Sequence, residues 1–197
     1  MANLEYLQYE AEGQIIDRKR ANLEPKKIAE HISAFSNAEG GILVIGIEDD
    51  GEITGFKYPK SKAIEKYIEA PLDFLSRLPK YTIERVPVQN SKGEDDEILV
   101  FTIEPNYESI IALKDETVFL RVNDKSKKLV HSQITQLEFD RGSRNFEEEL
   151  VEYSSIEDVI VAVVDDFRQI LGTSVSTENL LKARGFLRDG KMTVAGL

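Results

Sequence analysis

The stretch Asn37-Ala-Glu-Gly-Gly41-Ile-Leu-Val-Ile-Gly-Ile47 decides the fold. From Gly41 to Ile47 it is apolar and rich in β-branched residues, the pattern of a strand buried on both faces. The glycines before it are a stop signal, because a helix C-cap and a tight turn need the positive φ angles that glycine adopts freely. A helix therefore ends there. Upstream, Ile28, Ile32 and Phe35, with Ala29 and Ala34 beside them, recur at helical spacing from Pro25 to about residue 38, and proline suits a first helical turn. Downstream, Asp49-Asp50-Gly51 has hairpin-turn chemistry and leads to a short returning strand over 52–56.

Residues 14–20, Gln-Ile-Ile-Asp-Arg-Lys-Arg, read as a short strand whose polar side faces out. Over 60–78, Ile64, Tyr67, Ile68, Leu72, Leu75 and Leu78 form one helical stripe, with Pro71 bending the helix. Strands are predicted at 81–88, 97–104, 109–113 and 117–122, with a polar loop over 90–96. A helix over 131–141 turns Ile134 and Leu137 inward and stops at Gly142. The fold class is thus α+β over 1–142, a mixed, mainly antiparallel sheet flanked by helices. The acid-rich stretch 145–152 reads as a connector, which makes 143–197 a linker and a smaller segment. In that segment Ser155-Ile-Glu-Asp158 is a capping box leading into a helix over 159–171, followed by a short helix over 177–185 and a hairpin at Asp189-Gly190. Two helices and a hairpin resemble part of a winged-helix arrangement. The final Ala195-Gly-Leu197 is apolar, so a longer protein is expected to continue beyond it.

Hydrophobic residues at 41% and charged residues at 31% are the balance of a folded globular chain. The absence of cysteine excludes disulfides, thiolate metal sites and a cysteine nucleophile. Nothing near the N-terminus has a basic stretch followed by an apolar one, and no apolar run approaches the roughly 18–20 residues that span a bilayer, so a cytoplasmic protein without membrane contact is expected. The net charge of −11 weighs against strong nonspecific duplex binding, which needs a basic excess. That deficit is spread along the chain: 18 Lys/Arg face 24 Asp/Glu over 1–130, and 7 face 12 over 131–197.

Three segments carry a resemblance to a known family. Glu12-Gly-Gln-Ile-Ile-Asp17-Arg-Lys19 is similar to a Glu-Ser-x-x-x-Glu-Phe-Lys motif, His31 to Gly55 is similar to Ala-Phe-Ala-Asn-Thr-x-Gly-Gly-x-Leu-x-Ile-Gly-Val-Asp-Asp-x-Gly, and Val118-Phe-Leu-Arg121-Val is similar to a strand ending in Arg-Val-Gly. Over roughly residues 5–141 the chain resembles the Schlafen-type AlbA domain family. This resemblance implies a nucleic-acid-binding module of a bacterial transcriptional regulator. It also implies a second reading, a divalent-metal-dependent endoribonuclease in which Glu12, Asp17 and Asp49 are catalytic with Lys19, and Glu12, Asp17, Glu48 and Asp49 hold Mg²⁺ or Mn²⁺. The chain departs from the motif at Gly13, Asp17 and Arg18, and Asp17 is one methylene shorter than the family's Glu. A third reading, a protein-interaction module or homo-oligomer, accounts for the acidic surface without nucleic acid.

The residues bear on these readings by their own chemistry. Hard cations take oxygen ligands and can activate water at a phosphoryl group, and a lysine beside them steadies developing phosphate charge. The same acids also fit a solvated surface in a chain with 36 of them. Arg18-Lys19-Arg20, Lys26-Lys27, Arg121 and Lys125-Ser-Lys127-Lys128 are candidate phosphate contacts, with ordinary solvated charge as the alternative. The turn at 37–41 follows a helix C-terminus, whose partial charge opposes phosphate, and no Gly-Lys-Ser/Thr sequence is present, so ATP is not expected there. His31 lies near the inward stripe of its helix and reads as a hydrogen-bonded boundary residue.

Overall fold

The structure, a computed structural model, describes residues 3–141 and 146–197. Its first unit, Met1–Leu137, contains α1 (Leu4–Tyr9), β1 (Ile16–Lys19), α2 (Pro25–Ser36), β2 (Gly41–Ile45), α3 (Ile64–Phe74), β3 (Tyr81–Gln89), β4 (Asp95–Ile103), β5 (Phe119–Val122) and β6 (Lys125–Lys128), after which comes α4 (His131–Asp140). The second unit, Glu138–Leu197, contains α5 (Val161–Ile170), α6 (Thr177–Ala183), β7 (Leu187–Arg188) and β8 (Lys191–Met192).

The apolar run lies in the interior of a four-stranded sheet of order β1-β2-β4-β3. β1 pairs with β2 in parallel, Asp17 opposite Leu43, while β2–β4 and β4–β3 are antiparallel. The fold is thus the expected α+β with a mixed, mainly antiparallel sheet. Within β2 successive residues of the run point to opposite faces. Leu43 and Ile45 join Ile28, Ile32 and Phe35 of α2 and Tyr67 of α3 in the larger core, and Val44 joins Leu7 of α1, Ile47 and Ile98 in the smaller one. Each fully buried aliphatic or aromatic side chain contributes about 1.5–3 kcal/mol, so a strand that feeds two cores anchors the unit. The turn before it needs glycine: Gly41 has φ +151°, and a Cβ there would lie 2.6 Å from the Ile15 carbonyl oxygen and 2.7 Å from the Phe35 ring. β5 and β6 form a separate hairpin packed on α2.

Several expectations change. β1 does not turn its polar side outward; Asp17 and Arg18 are buried, because each finds partners that offset its desolvation. α3 stops at Phe74, and Leu72 and Leu78 are exposed rather than part of its inward stripe, while Pro71 sits inside the helix. The returning strand over 52–56 amounts to a single bridge, Ile47 to Ile53. The basic run 125–128 is a strand, which its composition concealed. Ile134 and Leu137 of α4 are half-buried. The helix stop at Gly142 and the start of the connector at Asn145 lie outside the described residues.

Within the second unit, the capping box at Ser155 and Asp158 closes a short 3-10 turn, and α5 starts at Val161. Leu150 forms an isolated bridge to Thr193 beside the β7–β8 hairpin, so the order along the unit is bridge residue, helix, helix, strand, strand. Val164 of α5, Leu180 and Leu181 of α6, Leu187 and Met192 form its core.

Candidate functional site

Parallel pairing of β1 with β2 brings the first motif beside the second, and the β5–β6 hairpin adds the third. The three meet at Asp17, whose side chain is only 1% exposed. Its Oδ2 accepts a hydrogen bond from Arg121 Nη1 at 2.7 Å, and its Oδ1 accepts one from Lys19 Nζ at 2.5 Å. Arg121 is itself buried. It donates from Nε and Nη2 to the Gly13 carbonyl at 3.0 and 2.8 Å and from Nη2 to the Ile16 carbonyl at 3.2 Å, and it stacks 4.7 Å from the Phe35 ring centroid. Burial pushes the Asp17 carboxyl up, but the hydrogen bonds and charges of His31 and Lys19 outweigh it and hold Asp17 well below the usual carboxylate range.

His31 Nδ1 lies 3.1 Å from Asp17 Oδ2 and 2.9 Å from Ser126 Oγ. Sequence reasoning missed this serine, histidine and aspartate grouping, since the three residues come from three elements and share no spacing signal. Both oxygens converge on the same ring nitrogen, whereas a nucleophile relay needs serine at one nitrogen and aspartate at the other. The trio therefore clasps β6 to α2 and β1 and does not activate Ser126.

Glu12 Oε1 accepts from the Arg18 backbone N–H at 2.7 Å. Desolvation raises the Glu12 pKa, the Arg18 hydrogen bond and Lys19 lower it, and Asp17 and Asp49 raise it by charge repulsion. The Arg18 side chain turns inward and donates to the carbonyls of Leu7 and Glu10 at 3.1 and 2.7 Å. Glu48 is buried and ion-paired with the exposed Arg20. Lys19, Arg20, Glu48 and the exposed Asp49 line one cleft of about 440 Å³, together with Asn22 and Asp50.

The implied divalent metal does not fit this donor set. Both Asp17 oxygens are held by cationic side chains, Glu12 serves a backbone N–H and Glu48 serves Arg20. Among the described residues no group of three or more His, Asp or Glu side chains is arranged to hold a metal ion.

The candidate phosphate contacts divide into two kinds. Arg18 and Arg121 are buried, and Lys19, Arg20, Lys26 and Lys27 are paired with Asp17, Glu48, Asp115 and Glu30 respectively. Lys125, Lys127 and Lys128 are exposed on β6 with no ion pair among the described residues. The motif asparagine is structural: Asn37 is buried, donates to the carbonyls of Ile111 and Phe119 at 2.8 and 3.0 Å, and accepts from the Ile111 N–H at 2.9 Å.

This arrangement, three motifs joined through one buried carboxylate on a mixed sheet, defines a class of small α+β module. The chain belongs to the Schlafen, AlbA_2 family, whose model matches residues 12–130. No curated protein matches the sequence. Among solved structures, the DIP2311 protein from Corynebacterium diphtheriae is similar at 17% identity and a TM-score of 0.47; the alignment covers 93% of this chain and 34% of that one. The chain thus spans about a third of that protein's length. No helix of the described residues is long and apolar enough to cross a membrane.

Proposed function

We propose that the first unit is a noncatalytic nucleic-acid-binding module that works within a bacterial transcriptional regulator, and that it grips phosphates with β6. The observation that carries this reading is the trio Lys125, Lys127 and Lys128, the candidate cations on this unit that no carboxylate among the described residues pairs with. Membership of the family supports an association with nucleic acid. The buried pairing of Arg121 with Asp17 and the contact of Ser126 with His31 hold the strand in place, so little ordering entropy is lost on binding. Lys19 and Arg20, at the cleft, extend the cationic surface where their carboxylate partners release them.

Phosphate contacts release counterions, so affinity falls with salt in proportion to their number. Fluorescence anisotropy with labelled RNA and duplex DNA over a salt series tests the reading. Relative to the wild type, the K125Q/K127Q/K128Q variant loses about 2.1 from the log–log salt slope on single strands and about 2.7 on duplex, the values for three contacts. A slope unchanged in the variant on both probes overturns the proposal.

A further inference from the structure

Charge in the second unit is segregated. Over residues 146–176 eight acids, Glu147 to Asp166, face one base, Arg168, while over 177–197 Lys182, Arg184, Arg188 and Lys191 face only Glu178 and Asp189. The fold gathers those four bases at one corner. Leu180 and Leu181 bury the inner side of α6 against Leu187 and Met192 of the hairpin, which leaves Glu178, Asn179, Lys182 and Ala183 exposed on its outer side. Arg168 fixes the approach to α6 by donating to the Val175 carbonyl at 3.1 Å and to Thr177 Oγ1 at 2.7 Å.

Three of the bases lack a carboxylate partner among the described residues. Lys182 is paired with Glu178 at 2.7 Å, but Arg184, Arg188 and Lys191 are exposed and have no ion pair among the described residues. Arg188 and Lys191 are direct cross-strand partners on either side of the Asp189-Gly190 turn. Like charges placed opposite each other in a hairpin destabilise it, a cost that a bound anion offsets. Arg184 and Arg188 also line a groove of about 320 Å³ with Phe186. Glu147 and Glu148 line that groove too, and Arg188 Nη2 donates to the Glu148 carbonyl at 3.1 Å.

We infer that the corner formed by α6 and the β7–β8 hairpin is a contact surface for duplex DNA, with Arg184, Arg188 and Lys191 on phosphates and the outer side of α6 facing the major groove. The connectivity supports a duplex over a flexible strand. A second helix braced on the first is the element that enters the major groove in helix–turn–helix proteins, and a helix about 10–12 Å across with its side chains fits a groove about 12 Å wide. The exposed surface offers no aromatic platform on α6, β7 or β8 for stacking unpaired bases, as single-strand binders use.

The test uses the full chain, a labelled 20-base-pair duplex, its single strand and an RNA hairpin, with R184Q/R188Q/K191Q beside the wild type. These positions are exposed, so the variant keeps its fold, which a cooperative thermal transition no lower than that of the wild type verifies. On the duplex the variant loses about 2.7 from the salt slope, so between 50 and 200 mM salt the wild type weakens about 40-fold more than the variant does. Single-strand and RNA binding stay as in the wild type. An unchanged duplex slope or an equal loss on all three probes overturns the inference. Because K125Q/K127Q/K128Q is measured on the same probes, failure of the β6 reading and failure of this one are distinguishable.

Discussion

Replacing Arg121 with methionine keeps its bulk against Phe35 but leaves the Asp17 carboxylate buried with a cation removed from Oδ2. Breaking a buried pair on one side costs about 3–5 kcal/mol, and urea denaturation of Arg121→Met is expected to show a loss in that range. A loss below about 1 kcal/mol would mean that Lys19 and His31 suffice for Asp17. The pH dependence has a definite sign. The Asp17 pKa is lowered in the folded state, so its contribution is present above the ordinary aspartate range and fades as pH falls below it. The stability gap between wild type and Asp17→Asn therefore narrows on acidification from pH 7 to pH 3. Glu12 has the opposite sign: its pKa is raised, so ionising it costs the fold stability as pH rises through the usual glutamate range. Glu12→Gln keeps an oxygen for the Arg18 N–H and is expected to raise the urea midpoint at pH 7 and leave it unchanged at pH 4; a lower midpoint at pH 7 would contradict the charge argument. At this scale the motifs singled out Glu12, Asp17 and Arg121. The pairing of Asp17 with a residue 104 positions away was not legible, because neither side chain carries a mark of its partner.

At the scale of elements, the segment with most riding on it is the join of α2 to β2. Asn37 holds both the Ile111 backbone and the Phe119 carbonyl against the end of α2. Asn37→Ala strands the Ile111 N–H and the Phe119 carbonyl, while Ser33 Oγ still donates to the Ile111 carbonyl at 2.7 Å; at about 1–3 kcal/mol for each stranded group, a total loss of about 2 kcal/mol or more is expected in urea unfolding, and a loss under about 1 kcal/mol would show that other groups satisfy them. Gly41→Ala adds a methyl against the Ile15 carbonyl and the Phe35 ring at a φ of +151°, combining overpacking and strain at about 1–3 kcal/mol each. The periodicity of α2 and the apolar run of β2 were plain in the sequence because burial dictates both. β6 was not: Lys-Ser-Lys-Lys has no apolar alternation, and it becomes a strand because β5 supplies hydrogen bonds and α2 supplies a partner for Ser126. The inward stripe of α3 was read too long for a related reason, since an apolar residue such as Leu72 is as compatible with an exposed position as with a buried one.

For the whole molecule, a net charge of −11 means that any hold on nucleic acid is local and salt-sensitive. The donor set at Asp17 leads to a further expectation. Adding Mn²⁺ or Mg²⁺ at about a hundred times the Kd of a real site would raise the Tm by about 5–10 °C, through about 2.7 kcal/mol of linkage. Because Asp17, Glu12 and Glu48 are already engaged and no three such side chains converge among the described residues, differential scanning fluorimetry at millimolar Mn²⁺ is expected to show no shift. A rise of that size would restore the metal reading. The amino-acid sequence by itself determined the fold class, the buried central strand, the helix ahead of it and the family, because each is written in local periodicity, turn chemistry or an ordered motif. Only the tertiary structure decided which charges are spent and which are free. Ion pairing depends on distances between residues far apart along the chain, and those distances are set when the sheet, the helices and the hairpin pack together.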